Sequence, residues 1–368
     1  MTTVSTPPPA MRILAVNAGS SSLKLSVVDG ADRASAQTTV DLTGGADPLG
    51  ALHGFIATAG DFDAVAHRLV HGGPAVLRAT VVDDSVRSRL DDGAALAPLH
   101  VPPALRLLDA ARQGIDRPQV VCVDTAFHRD MPAHATTYAV PAEWRDLGVR
   151  RYGFHGLSFA WASRRSAELL NRQPADLQVL IAHVGAGVSA CAVRNGRSVD
   201  TSMGFTPLEG AVMAMRSGTV DPGALLWLQD VHGITAGAMN TSLEHHSGLL
   251  ALCGMSDLRD VERSASAGDA TAAAAVDVYV HVLSRVIGGL AMSLDRIDAL
   301  VFTGGVGEHS ELVRSRVCSR LTLFGLPGGL DPADGDSVIA RAGGRPAVVV
   351  VAAREDAQMA REAREALR

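Results

Sequence analysis

Lysine is almost missing from this chain. Of its 33 basic residues only Lys24 is a lysine, so nearly every positive charge rides on a guanidinium. Aromatic residues are scarce at 4%, and a core must therefore be built mainly from Ala, Val and Leu. The four cysteines, Cys122, Cys191, Cys253 and Cys318, are scattered and form no Cys-x-x-Cys pair. That argues against a zinc cluster and fits a reducing compartment. There is no basic excess: the formal net charge is -6, which argues against nucleic acid as a partner. The P-loop pattern G-x-x-x-x-G-K-[ST], the G-x-S-x-G elbow and the H-E-x-x-H helix do not occur. The most apolar long segment, 272–294, carries Asp277, His281 and Arg285, which disfavours a membrane span. Residues 1–10 are polar and proline-rich without an apolar stretch, and read as a disordered tail rather than a signal peptide. A soluble cytoplasmic protein is the expectation. With 368 residues, 47% of them hydrophobic, the chain can bury a full core and is long enough for two domains.

The stretch 11–30, MRILAVNAGSSSLKLSVVDG, reads as strand, turn, strand. Ile13–Val16 is a buried-strand run, Asn17 to Ser22 a small polar turn, and Leu25, Val27 and Val28 resume the strand. Asp29-Gly30 is a hairpin turn signal. Glycine and serine together expose N–H groups and hydroxyls suited to phosphate oxygens, and Lys24 adds a point charge. An ordinary hairpin satisfies the same local pattern.

Further along, 38–42 reads as a third strand. The segment 62–70 carries His67 and Arg68 near its end, and His71-Gly72-Gly73 follows. The stretch 85–107 is helical in parts, interrupted at 97–100 and at Pro102-Pro103. The strand Gln119–Asp124 ends on a carboxylate, a catalytic or metal-linked position unless Asp124 is only a helix cap. A short strand is expected over 138–140. His155, among glycines and aromatics, opens a helix running through Glu168 and could meet an anion there. The segment 177–196, LQVLIAHVGAGVSACAVRNG, repeats the opening hairpin. His183 matches Asn17, Gly185 matches Gly19 and Asn195 matches Asp29, all at an offset of 166 residues. Two copies of one ancestral domain would grip a polyphosphate from both sides. Arg216 has a buried-looking setting before Ser217-Gly218, and an arginine there pairs with carboxylate or phosphate. Helices are expected at 224–231, 241–252, 270–294 and 311–321, and strands at 299–303 and 347–352. Between the strand 299–303 and its helix lie Gly304-Gly305-Val306-Gly307-Glu308-His309, a turn that suits a nucleotide. Glu355 and Asp356 open a terminal helix, where carboxylates favour the dipole; metal binding is the sharper reading for Glu355.

Seven stretches together resemble the acetate kinase family, of the acetate and sugar kinase, heat-shock chaperone and actin superfamily: NAGSSSLK (17–24), HRLVHGG (67–73), DTAFH (124–128), RRYGFHG (150–156), MGFTPLEG (203–210), RSGTVDP (216–222) and FTGGVGE (302–308). The resemblance implies an α/β fold of two duplicated actin-like (ribonuclease H-like) lobes with mixed sheets flanked by helices and a central cleft. An N-terminal lobe is expected over 11–148, completed by the helix 355–368, and a nucleotide-binding lobe over 149–354. The implied activity is direct in-line transfer of the ATP γ-phosphoryl group to acetate, giving acetyl phosphate and ADP, with propionate or another short acid as acceptor, another phosphoryl donor, or a nucleotide-gated binding protein of the same superfamily as the alternatives. Arg68 and Arg216 match the active-site arginines, Asp124 the orienting aspartate, His155 the histidine that steadies the transition state, and His100 a cleft histidine with a softer role. Asn17 and Glu355 match the positions associated with magnesium, or manganese in its place. Val70, Leu99, Phe154 and Pro207 match the small apolar pocket for the methyl group, with Val70 as in acetate rather than propionate enzymes.

On the nucleotide side the resemblance assigns Lys24, His183, Gly185, Ala186, Gly187, Asp257, Leu258, Arg259, Gly305, Val306, Gly307, Glu308 and His309. Three positions there depart from the family pattern: Ala186 and His309 each replace an asparagine, and Leu258 a phenylalanine. The resemblance further implies a homodimer.

Overall fold

The structure, a computed structural model, describes residues 11–19, 22–42, 44–97, 101–341, 343 and 346–368. Among these residues, twelve strands form two six-stranded sheets. In the first lie β1 (Ile13–Ala18), β2 (Ser22–Val28), β3 (Ala34–Asp41), β4 (Ala64–Leu69), β5 (Thr80–Val81) and β6 (Gln119–Val123), in the order β3-β2-β1-β4-β6-β5. In the second lie β7 (Gln178–Val184), β8 (Val188–Arg194), β9 (Arg197–Thr201), β10 (Ala299–Thr303), β11 (Ser337–Ala340) and β12 (Ala347–Val350), in the order β11-β12-β10-β7-β8-β9. Read from the other end the two orders are the same. Strands β1, β4 and β6 are parallel, as are β7, β10 and β12, and the remaining pairings are antiparallel. The 166-residue offset carries β2 onto β8 from first residue to last. Each sheet is thus mixed, with helices packed against it, and the fold is a duplicated two-lobe α/β arrangement.

The chain divides into two compact units. One holds the described residues up to Phe127 together with Arg354–Arg368, the other His128–Ala353. In the first, β1 is buried on both faces: Leu14 and Val16 pack with Leu52 and Phe55 of the helix Pro48–Ala59. The helix Glu355–Ala366 lies against β1, β4 and β6 and buries Ala357, Met359, Ala360 and Ala363. Two covered faces explain why β1 and β6 read as continuous apolar runs, whereas edge strand β3 alternates half-buried and exposed residues. In the second unit the helix Ala270–Ala291 lies against β7 and β8. It is long and apolar enough to cross a membrane, yet Tyr279, Val280, Leu283 and Ile287 are buried in the core, as a central helix of a folded domain requires.

Several local expectations need correction. The turn after β2 is not the two-residue Asp29-Gly30 hairpin. It runs to Arg33, with Asp32 in the left-handed region and the Asp29 carboxylate accepting the N–H groups of Ala31 and Arg33. The third strand starts earlier than Thr38, at Ala34. Residues 138–140 form no strand; Tyr138 is held by its side chain instead. Pro102 and Pro103 do not break a helix but lie within Val101–Gly114. The helix expected over 241–252 is two, Ala236–His245 and Gly248–Cys253. Gly248 sits at φ +66°, and a Cβ there would lie 2.3 Å from the Met213 carbonyl oxygen. The glycine turn after β10 is itself a short helix, Gly304–His309.

Candidate active site

Parallel pairing brings the ends of β1, β4 and β6 to one edge of the first sheet, and each delivers a polar side chain there. Arg68 comes from β4, Asn17 from β1, and Asp124 follows β6, its N–H bonded to the Leu69 carbonyl at 2.9 Å. Glu355 opens the helix that covers the sheet. The Arg68 guanidinium donates to both Asp124 oxygens, from Nε at 3.0 and 3.2 Å and from Nη2 at 2.7 Å. Its Nη1 donates to Asn17 Oδ1 at 3.0 Å and lies 3.4 Å from Glu355 Oε2. Asn17 Nδ2 donates to the same Glu355 oxygen at 2.7 Å. Burial opposes charge on Arg68, but Asp124 and Glu355 outweigh it and raise its pKa, so the guanidinium is always charged. Such a fork, held by its carboxylates, has one orientation to offer an anion.

Two carboxylates, Asp124 and Glu355, lie against the Arg68 guanidinium at this edge. The oxygens that Asn17, Asp124 and Glu355 bring to this edge are amide and carboxylate oxygens. Among the described residues no three His, Cys, Asp or Glu side chains form a metal cage. One or two carboxylates, with water and phosphate completing the shell, is the donor set that suits Mg2+. Asn17, Asp124 and Glu355 therefore fit that ion. Lys24 pairs directly with Asn17 across β1 and β2, which puts it on the same face, and its side chain is exposed. Val70 follows β4 half-buried. His71 is buried, and Gly72 cannot carry a side chain, because a Cβ would lie 2.1 Å from the Val76 carbonyl oxygen. Leu99 and His100 lie outside the described residues.

The second unit presents its own cluster at the turn between β7 and β8. His155, at φ +56°, precedes the helix Gly156–Leu169, and its Nδ1 is 2.8 Å from Ser189 Oγ of β8. His183 Nδ1 is 2.8 Å from Ser158 Oγ in the first turn of that helix. The two imidazoles lie against one another, tilted by 33°, with centroids 4.3 Å apart. Gly187 is tightly framed: a Cβ would lie 3.3 Å from His155 Cε1 and Nε2, and 3.9 Å from Arg216 Nη1. The turn Gly185-Ala186-Gly187 is tied to the Arg216 segment by the Ala214 N–H, which donates to the Ala186 carbonyl at 3.1 Å. Arg216 Nε lies 2.8 Å from Oε2 of the buried Glu244. His155, His183, Gly187 and Arg216 therefore share one locality.

The remaining nucleotide-side residues fall into two groups. Parallel pairing of β10 with β7 sets the helix Gly304–His309 beside the β7–β8 turn, with Gly305 and His309 exposed and Gly307 buried. Glu308 Oε1 accepts the Ala353 N–H at 3.0 Å, and Val306 is half-buried. Asp257 caps the helix Leu258–Ser266, and its pKa is lowered first by the Arg259 side chain. Arg259 is largely exposed, and Leu258 is turned into the core. Phe154 and Pro207 are both buried in the second unit. Sequence reasoning missed Glu244, Ser158 and Ser189. Glu244 carries no local signal because its partner is distant in sequence; Ser189 was visible only as a small residue in a repeated hairpin.

The acetokinase family model matches residues 46–361. An acetate kinase of Streptomyces coelicolor is 44% identical over 305 residues, covering 81% of this chain and 74% of that protein. The crystal structure of Porphyromonas gingivalis acetate kinase superposes with a TM-score of 0.88 at 31% identity, covering 98% of this chain and all of that one (100%). A propionate kinase from Francisella tularensis superposes at 0.86 and 30% identity, covering 96% and 98%.

Proposed function

The chain belongs to the acetokinase family, and from that premise we propose that it reversibly transfers the γ-phosphoryl group of ATP to acetate, giving acetyl phosphate and ADP. The observation that carries the reading is the Arg68 fork held by Asp124, Asn17 and Glu355 at the end of three strands. A carboxylate oxygen of acetate attacks the γ-phosphorus in line as the bond to the β–γ bridging oxygen breaks, and the electron pair leaves on ADP. Acetate is already ionised at neutral pH, so no proton need be removed and no general base is required. The protein's work is positioning and charge stabilisation. Arg68 and Arg216 hold the acceptor carboxylate and the migrating phosphoryl group, whose equatorial oxygens match a guanidinium fork. Asp124 orients Arg68, and His155 donates toward the equatorial oxygens. His183, Lys24 and the Gly185–Gly187 and Gly305–His309 backbones serve the nucleotide. Asn17, Asp124 and Glu355 would hold Mg2+, which when bound neutralises charge between the β- and γ-phosphates.

Acceptor size is set by Val70, Leu99, Phe154 and Pro207, and one methylene discriminates by only about 1–3 kcal/mol in such a pocket. Some turnover of propionate follows. Two further assignments go with the reading. We place the enzyme in the cytoplasm, consistent with four free cysteines, and we assign a homodimer. The helix Pro222–His232 supports the latter: it buries no residue and exposes Leu226, Trp227 and Val231. Light scattering giving the monomer mass would remove that assignment.

The test of function is acyl phosphate trapped with hydroxylamine, for acetate, propionate and butyrate, each with ATP·Mg, other nucleoside triphosphates or pyrophosphate. Strong signal with acetate and ATP is expected. Signal with a different donor alone would keep the acceptor and relocate the difference to Ala186, Leu258 and His309. No signal from folded protein with any pair would overturn the reading.

A further inference from the structure

The loops 150–156 and 203–210 each carry one residue of the acceptor pocket, Phe154 and Pro207. They are fastened together by side chains outside the set assigned to the transfer. Arg151 reaches from the first loop into the second. Its Nη1 donates to the carbonyls of Ser202 at 3.2 Å and Met203 at 3.0 Å, and its Nη2 donates to Glu209 Oε1 at 2.7 Å. The other Glu209 oxygen accepts the Tyr138 hydroxyl at 2.5 Å. That hydroxyl in turn accepts the Phe205 N–H at 3.1 Å. The Tyr138 ring also lies under the guanidinium, 5.5 Å from centroid to Cζ. The backbones join as well, the Tyr152 N–H donating to the Gly204 carbonyl at 3.0 Å. Gly204 leaves the necessary room, since a Cβ there would lie 1.8 Å from Glu209 Oε2 and 2.0 Å from the Tyr138 hydroxyl oxygen. Glu209 thus reaches back from the end of its loop to the beginning, closing the loop around Pro207. Burial first, and then Glu209, raise the Tyr138 pKa, so the phenol stays protonated and remains a donor.

We infer that Arg151, Glu209 and Tyr138 form a clamp that positions Phe154 and Pro207 relative to one another and so sets which short carboxylic acid the enzyme prefers. The proposal rests on the acetate reading of the same site. These three are positioning residues: they act through the two loops and touch neither the phosphoryl group nor the nucleotide. A wall held by three side chains keeps a fixed spacing, and a spacing fixed for a methyl group excludes longer chains.

Tyr138→Phe removes one hydroxyl and nothing else. The expected result is a KM for acetate raised about tenfold, the size of one lost hydrogen bond. KM for ATP stays unchanged, and the acetate-to-propionate ratio of kcat/KM falls. Arg151→Lys keeps the charge, loses the fork and should move the same quantities in the same direction. Hydrogen exchange supplies a readout independent of turnover: amides of 203–210 should exchange faster in Tyr138→Phe, while those of β7 and β8 do not change. An active wild type whose folded Tyr138→Phe variant keeps the acetate KM and the acid ratio overturns the clamp alone. So does a variant that loses kcat equally for both acids and weakens ATP, which is a general structural defect. A wild type that makes no acyl phosphate sinks the function reading, and the specificity proposal with it.

Discussion

At the scale of single residues, ion pairs decide what a substitution reports. Arg216 faces Glu244, whose side chain is only 7% exposed. Arg216→Leu removes a guanidinium proposed to act on phosphate and also strands a buried carboxylate. Breaking such a pair by removing one partner costs about 3–5 kcal/mol. The single variant should therefore lose turnover and stability together. Arg216→Leu combined with Glu244→Leu should regain most of the stability and none of the turnover, as measured by urea unfolding and hydroxylamine trapping. Regained turnover would take Arg216 out of the mechanism. At the acceptor, Val70→Ala should lower the propionate KM relative to that for acetate, and an unchanged ratio from steady-state kinetics would remove Val70 from the pocket. The residue pattern drew attention to Arg68 and Asp124 because each sits at the end of a strand run and to Glu355 because it opens a helix, whereas Asn17 was assigned through the family resemblance alone. Glu244, Ser158 and Ser189 were not legible, since a partner that is set by packing leaves no pattern near itself in the chain.

At the scale of elements, turns were read less well than strands, because a turn's geometry depends on what lies beneath it. The β7–β8 turn was located by its match to the opening hairpin, but the reason for glycine at 187 is steric and lies elsewhere in sequence. A Cβ there would press on the His155 ring at 3.3 Å. Gly187→Ala should lower kcat by on the order of tenfold or more through a displaced imidazole, with the melting temperature nearly unchanged. A variant with normal kcat would show that His155 can give way without cost. The break at Gly248 was missed for a similar reason, because the carbonyls of Met213 and Arg216 that exclude a Cβ come from an earlier segment. Short apolar runs such as 138–140 satisfy a strand pattern locally, yet among the described residues no strand pairs with 138–140. The 166-residue offset, by contrast, was legible because duplication leaves its mark in register as well as in composition.

At the scale of the whole molecule, stability should depend on pH through three buried imidazoles. His67 is buried beside Gln119, and burial lowers its pKa to about 4 despite that hydrogen bond. Burial does the same to His71, about 4, and to His128, about 4, which lies between Ser198 and the Phe154 carbonyl. The unfolded chain protonates these groups near pH 6.5, the folded protein only near 4. Between those values the unfolded state binds more protons. The stabilisation is complete above about pH 6.5 and is lost as the pH falls toward 4, at up to roughly 4 kcal/mol per pH unit for three groups together. Urea midpoints at pH 7.5 and 5.5 should differ accordingly, and equal midpoints would mean that the imidazoles protonate without unfolding the protein.

The first unit is completed by the helix Glu355–Ala366, which follows the entire second unit in the chain. During synthesis on a ribosome, β1, β4 and β6 emerge early and must wait, one face uncovered, until everything from His128 to Ala353 has been translated. Arg68 and Asp124 are synthesised long before Glu355. A nascent chain of this kind offers apolar strand surface to chaperones throughout elongation. A premature stop ahead of codon 355 would release a second unit complete in sequence, joined to a first that lacks both its covering helix and a carboxylate of its cluster.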